Sequence, residues 1–132
     1  MVNNHGIIIH KVGYKKGSIY DYDIYKENHP VIPKEVVKVV DIGYFGIEKD
    51  YPEQLSALPS RKKRNLLHLS QEQKEYNKNH CKKRIKIEHV ICRLKKYKIF
   101  ADVSRNKLCR KYNKISDIIS GLVNYKIMNQ YY

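Results

Sequence analysis

The sequence predicts an α/β domain that continues into a long, basic, helical C-terminal region. Three observations carry this reading. Ile7-Ile8-Ile9-His10-Lys11-Val12 is a β-branched run set between Gly6 and Gly13, the pattern of a short strand. Val36-Val37-Lys38-Val39-Val40 is almost continuously apolar, as in strands buried on both faces beneath helices. Beyond Ser70 no glycine or proline interrupts the chain until Gly121, so those fifty residues favour helix.

Between the two strands, residues 13–18 read as a turn-rich connection. Residues 18–28 then read as a short helix with Ser18 as a candidate cap. His29-Pro30 and Ile32-Pro33 break it, because the residue before proline is pushed out of the helical region. After the second strand, Asp41-Ile42-Gly43-Tyr44-Phe45-Gly46 ends the extended run with two glycines. Residues 48–69 read as a loop carrying Pro52, Pro59 and a basic cluster. Ser70-Gln71-Glu72-Gln73 has the spacing of a capping box and opens the long helix. Along it Ile87, Ile91 and Leu94 form an apolar stripe beside Arg84, Glu88 and Lys95. A break near residues 101–104 separates a second helix, whose stripe is Leu108, Tyr112, Ile115, Ile119 and Leu122.

At 132 residues the chain is one domain in size and can bury a modest core. Apolar residues make up 42% and charged residues 30%, a balance that excludes wholesale disorder. No apolar run is long enough to span a bilayer and no signal-peptide pattern follows Met1, so membrane insertion and secretion are poor readings. Cys81, Cys92 and Cys109 contain no CxxC pair and cannot form a complete disulfide framework. The formal net charge is +14. Arg61-Lys62-Lys63-Arg64 carries four of those charges, and residues 82–114 hold thirteen basic against two acidic side chains. Such segregation implies a polyanionic partner, since neutralising phosphates releases counterions. A merely solvated surface is the bland alternative.

Two acids stand out. Asp41 follows the apolar run and precedes Gly43, so its carboxylate emerges at the strand's C-terminal end, where α/β proteins place ligands. It is either a hard-cation ligand or a residue that caps the turn. Glu88 is the one acid between Glu75 and Asp102, set among lysines and arginines. It reads either as a surface ion pair with Arg84, four residues earlier, or as a metal-binding carboxylate in a phosphate-attracting field. His80, Cys81, His89 and Cys92 would point in different directions from one helix and lack zinc-site spacing. Nothing supplies a cysteine nucleophile with a base. A few of the twelve tyrosines could stack on bases.

The segment Val39-Val40-Asp41-Ile42-Gly43-Tyr44-Phe45-Gly46-Ile47 resembles the D-x-G-Y-x-G motif of insertion-sequence and Harbinger-like DDE transposases. Residues Arg84 to Lys95, RIKIEHVICRLK, resemble their R-x-x-x-E-H-x-I-x-R-L-K helix. Gly17-Ser18-Ile19-Tyr20-Asp21 resembles a G-S-x-x-D turn, and residues 69–77 resemble the L-T-x-E-Q-K-x-x-N approach to that helix. Arg105-Asn106 and Gly121-Leu122-Val123-Asn124 resemble the closing segment. The likeness covers about residues 6–127 in order.

This resemblance implies an RNase H-like fold and a D, D, E triad that binds two divalent ions, Mg2+ or Mn2+. Asp41 would be the second aspartate and Glu88 the closing glutamate, converging as neighbours. Asp21 matches an accessory position outside the triad. Arg84, Arg93, Lys95 and Lys96, with Arg61, Lys62, Lys63 and Arg64, would contact DNA, and Arg84, Arg93 and Lys95 could instead steady Glu88. The first aspartate and its strand would lie upstream of Ile7, so residues 1–132 are expected to be a partial catalytic domain truncated at its N-terminus. Such a fragment of a DNA endonuclease and strand transferase is expected to be inactive alone. Its expected partners are transposon-end DNA and full-length transposase subunits, in a bacterial, nucleoid-associated cytoplasm. A non-enzymatic DNA-binding or transposase-inhibiting module is the alternative; a basic ribosome-associated protein is a third.

Overall fold

The computed structural model describes residues 1–15, 18–62, 68–101 and 109–131. Gly17, Lys63, Arg64, Leu108, Arg105-Asn106 and the expected break after residue 101 lie outside the described residues. Five helices and a small parallel sheet occur among those described. In order they are α1 (Asp21–Glu27), β1 (Lys38–Val39), α2 (Ile47–Asp50), β2 (Ser56–Ala57), α3 (Gln71–Lys95), α4 (Lys98–Ala101) and α5 (Cys109–Met128). The residues divide into two compact units: Met1–Gly17 with Lys86–Tyr132, and Ser18–Ile85.

In the second unit β1 and β2 pair in parallel, Lys38 opposite Ser56 and Val39 opposite Ala57. Lys38 N donates to Leu55 O at 2.9 Å and Val40 N to Ala57 O at 3.1 Å. Residues 40–55 connect the strands and carry α2, so the expected loop over 48–69 instead holds the end of a short helix and a strand. Mixed helices and a parallel pair agree with the α/β expectation at that level.

The expected doubly buried strand is not what forms. Val36 and Val37 are 48% and 52% exposed, whereas Lys38 is only 6% exposed. The pleat turns position 38 inward, where its ammonium meets Tyr25 Oη at 3.0 Å and Gln54 Oε1. The rings of Tyr25 and Tyr51 lie 5.3 and 5.5 Å away. Hydrogen bonds and ring faces make that burial tolerable. Tyr25 also makes edge contacts with Tyr44, Tyr51 and His29, and Ile47 is fully buried. Helix α1 forms as expected, but Ser18 does not cap it. Tyr20 holds the cap position without a side-chain bond.

The capping box expected before α3 forms as spaced. Ser70 N donates to Gln73 Oε1 at 3.1 Å and Gln73 N donates to Ser70 Oγ at 3.2 Å. The helix ends at Lys95, several residues before the expected break.

In the first unit the core is Val90, Ile119, Val123 and Ile127, with Val2, Ile7, Ile8, Leu94, Tyr97, Phe100 and Ile115 packed on it. Ile119 and Ile115 of the expected α5 stripe are there, but Leu122 is exposed and Val123 and Ile127 take its place. On α3 Leu94 of the expected stripe packs on the core, but the buried residue is Val90 and Ile91 is exposed. At 3.6 residues per turn a stripe drifts by one position every few turns, which shifts the buried row. Ile7–Val12 makes no strand; one antiparallel bridge joins Val2 to Ile8. Backbone bonds to Met1 and Asn3 accompany that bridge, and Asn124 adds a further pair at Ile8. Its Oδ1 accepts from Ile8 N at 2.8 Å, and its Nδ2 donates to Ile8 O at 2.9 Å. At Gly6, with φ of +82°, any side chain would be strained.

Candidate functional site

Asp41 leaves β1 in extended backbone and heads the 3-10 turn Ile42–Tyr44. Its Oδ1 accepts from Ile42 N at 2.7 Å and lies 3.0 Å from Arg84 Nη1 of α3. Gly46, with φ of +100°, is left-handed and lets the chain swing directly into α2. The side chains of Arg84 and Asp41 are 26% and 48% exposed, so the carboxylate is anchored yet open to solvent. Tyr44, half-buried, closes the turn. Burial raises its phenol above the usual range, and the carboxylates of Asp21 and Asp41 raise it further.

Both readings of Asp41 raised by the sequence have a physical basis here. The bond to Ile42 N makes it a turn cap. The anchored, half-exposed carboxylate is also a hard oxygen donor that a cation could use. Glu88 lies one helical turn beyond Arg84 along α3, exposed, and it belongs to the first unit while Asp41 belongs to the second. Among the described residues no three His, Cys, Asp or Glu side chains gather in a way that could hold a metal ion.

The expected DNA contacts lie on separate segments. Arg61 is exposed, with its guanidinium 4.7 Å from the centre of the Phe45 ring, and Lys62 is exposed. Lys63 and Arg64 fall outside the described residues. Near the end of α3, Arg93 is half-buried and donates from Nη2 to Gln130 Oε1 at 3.1 Å. Lys95 and Lys96 are exposed. His80 is buried with Nε2 3.0 Å from Ala57 O, while Cys81 and Cys92 are exposed.

Sequence reasoning passed over three asparagines that fix backbone where the chain has no partner strand. Asn77 exchanges two bonds with Ser60, at 2.7 and 3.0 Å, as Asn124 does with Ile8. Asn113 accepts from Tyr14 N at 2.7 Å. Asn77 and Asn124 each end a segment quoted for the resemblance, which was the available signal. No helix among the described residues is long and apolar enough to cross a membrane.

Comparison with known proteins adds the family. Residues 1–124 match the model of the DDE superfamily endonuclease family. The chain is 34% identical over 116 residues to a "Probable transposase for insertion sequence element IS702" of Microchaete diplosiphon. That match covers 88% of this chain and 41% of the relative, so the chain spans about two fifths of the curated relative's length. No solved structure matches.

Proposed function

Because this chain belongs to the DDE superfamily endonuclease family, we propose that it acts in DNA transposition as part of a divalent-metal-dependent endonuclease and strand transferase. On this reading residues 1–132 are a portion of an RNase H-like catalytic domain, with β1 and β2 as two of its parallel strands. The observation that supports it most directly is Asp41, whose carboxylate is held at the end of β1 by Ile42 N and Arg84. In this proposal Asp41 and Glu88 are acidic ligands for Mg2+ or Mn2+, since hard cations take carboxylate oxygens. A divalent ion held there would supply Lewis-acid activation of a water or 3′-hydroxyl. Arg84 fixes the orientation of Asp41. Arg93, Lys95, Lys96, Arg61, Lys62, Lys63 and Arg64 hold DNA phosphates. A bacterial cytoplasm with access to the nucleoid, and association with other transposase subunits, go with the same reading.

The resemblance implies a D, D, E triad and matches only Asp41 and Glu88 of it to residues of this sequence, so the chain on its own is expected to bind DNA without cutting it. Incubating the purified chain with supercoiled DNA and Mg2+ or Mn2+ checks this. No nicking above background is expected; robust cleavage abolished by Glu88→Ala would overturn the expectation of inactivity. The non-enzymatic alternative draws on the cations of α3, which need no carboxylate to bind DNA. It predicts the same binding with no effect of Mn2+ and no effect of Asp41→Asn.

A further inference from the structure

The last turns of α3 and of α5, within the first unit, border a cleft of about 340 Å³ lined by Arg93, Lys96, Tyr97, Val123, Lys126 and Gln130. Its buried wall is Val123, a core residue. Arg93 donates to Gln130 Oε1, which orients the guanidinium. The Lys126 ammonium lies 5.8 Å from the centre of the Tyr97 ring. Among the described residues no carboxylate lies within ion-pair distance of Arg93, Lys96 or Lys126. Basic residues near helix ends are favoured by the helix dipole alone. The dipole does not explain why cations from two helices and the segment between them line a single concavity. Like charges gathered beside an apolar wall repel one another, and an anion seated among them removes that repulsion.

We propose that this cleft is a phosphate-binding subsite that seats one phosphodiester of a DNA strand. This rests on the DNA-binding reading above and adds Tyr97, Lys126 and Gln130 to the cations singled out in the sequence. A phosphodiester is the anion of choice because a planar guanidinium matches two phosphate oxygens at once. The Tyr97 ring meanwhile offers an apolar face to the adjoining sugar or base. Such a contact positions the strand and reads no sequence.

The test measures affinity of the full chain for a labelled duplex across a salt series, for the wild type, Lys126→Gln, Arg93→Gln and Lys49→Gln. Lys126 is exposed, so its replacement leaves the core untouched if Arg93→Gln weakens folding. Lys126→Gln is expected to lower affinity several-fold at low salt, equally for duplexes of different sequence. It should also reduce the log–log salt slope by about 1, the share of one phosphate contact. Lys49→Gln, on α2, should leave the slope unchanged. A wild type that binds duplex with Lys126→Gln and Arg93→Gln unaltered, or with Lys49→Gln equally impaired, overturns the cleft and leaves the transposition reading standing. A wild type that binds no duplex overturns both.

Discussion

At Asp41 two roles share one side chain, and their energies differ enough to separate them. As a turn cap, Asp41 supplies an acceptor to Ile42 N at 2.7 Å, and asparagine does that about equally well. Its ion pair with Arg84 is half-exposed, so solvent screening limits it to about 1 kcal/mol or less. Asp41→Asn should therefore leave the melting temperature within a few degrees of wild type. Asp41→Ala, which also removes the acceptor, should cost about 1–2 kcal/mol. If the carboxylate is a cation ligand, both variants lose Mn2+ binding equally, although only one loses the cap. Calorimetric Mn2+ titration beside thermal melts checks this. Unchanged Mn2+ binding in Asp41→Asn reduces the residue to a cap. The sequence marked Asp41 because a carboxylate after an apolar run and before a glycine emerges at the strand's C-terminal end, where α/β proteins place ligands, with turn capping as the competing reading. It did not reveal Arg84 as the partner, because that contact spans 43 residues. Nor did it reveal that Lys38 would be the buried member of its run: burying an ammonium depends on Tyr25, Gln54 and Tyr51, each from a different segment.

Elements whose stabilising bonds are local were legible; those completed by distant groups were not. The capping box at Ser70 needs only residues within three positions, and its reciprocal bonds form as the spacing indicated. The expected strand at Ile7–Val12 had the right composition but no neighbouring strand beyond the single bridge to Val2. A β-branched run without a ladder remains an extended segment. Besides backbone bonds to Met1 and Asn3, it is held by Asn124 of α5, whose amide satisfies both the N–H and the C=O of Ile8. No periodicity announces such a role, because the amide imitates a strand from within a helix. Replacing Asn124 by leucine would strand two part-buried backbone groups, at about 1–3 kcal/mol each. Asn124→Leu should thus destabilise the first unit by several kcal/mol, read from the denaturant midpoint. Asn124→Asp keeps the acceptor for Ile8 N and should cost less. Equal losses in both variants would show that packing at residue 124, and not backbone satisfaction, sets the effect.

For the whole molecule, charge was readable directly from composition, whereas the division into two units was not, since α3 runs unbroken from one into the other. Charge also governs how stability responds to pH, and the second unit holds the groups that matter. Tyr22, Tyr25 and Tyr44 all have phenols raised above 10.0, in each case first by burial. Asp50 adds to this at Tyr22, Tyr51 at Tyr25, and Asp21 with Asp41 at Tyr44. In the unfolded chain these phenols ionise near their ordinary value, while in the folded chain they keep their protons to higher pH. Above about pH 10 the unfolded state therefore holds fewer protons, and stability falls as pH rises. Lys38 acts in the opposite sense. Burial lowers its ammonium below 10.5, so beneath that value the unfolded state holds more protons and stability gains with rising pH. Three phenols outweigh one ammonium once the unfolded lysine has also lost its proton. Denaturant midpoints should therefore drop between about pH 9 and pH 11. Tyr44→Phe, which removes one titrating group and keeps the ring, should make that drop shallower. A midpoint unchanged across the interval, or as steep a drop in Tyr44→Phe, would mean that the packing around Tyr22, Tyr25 and Tyr44 does not hold their protons.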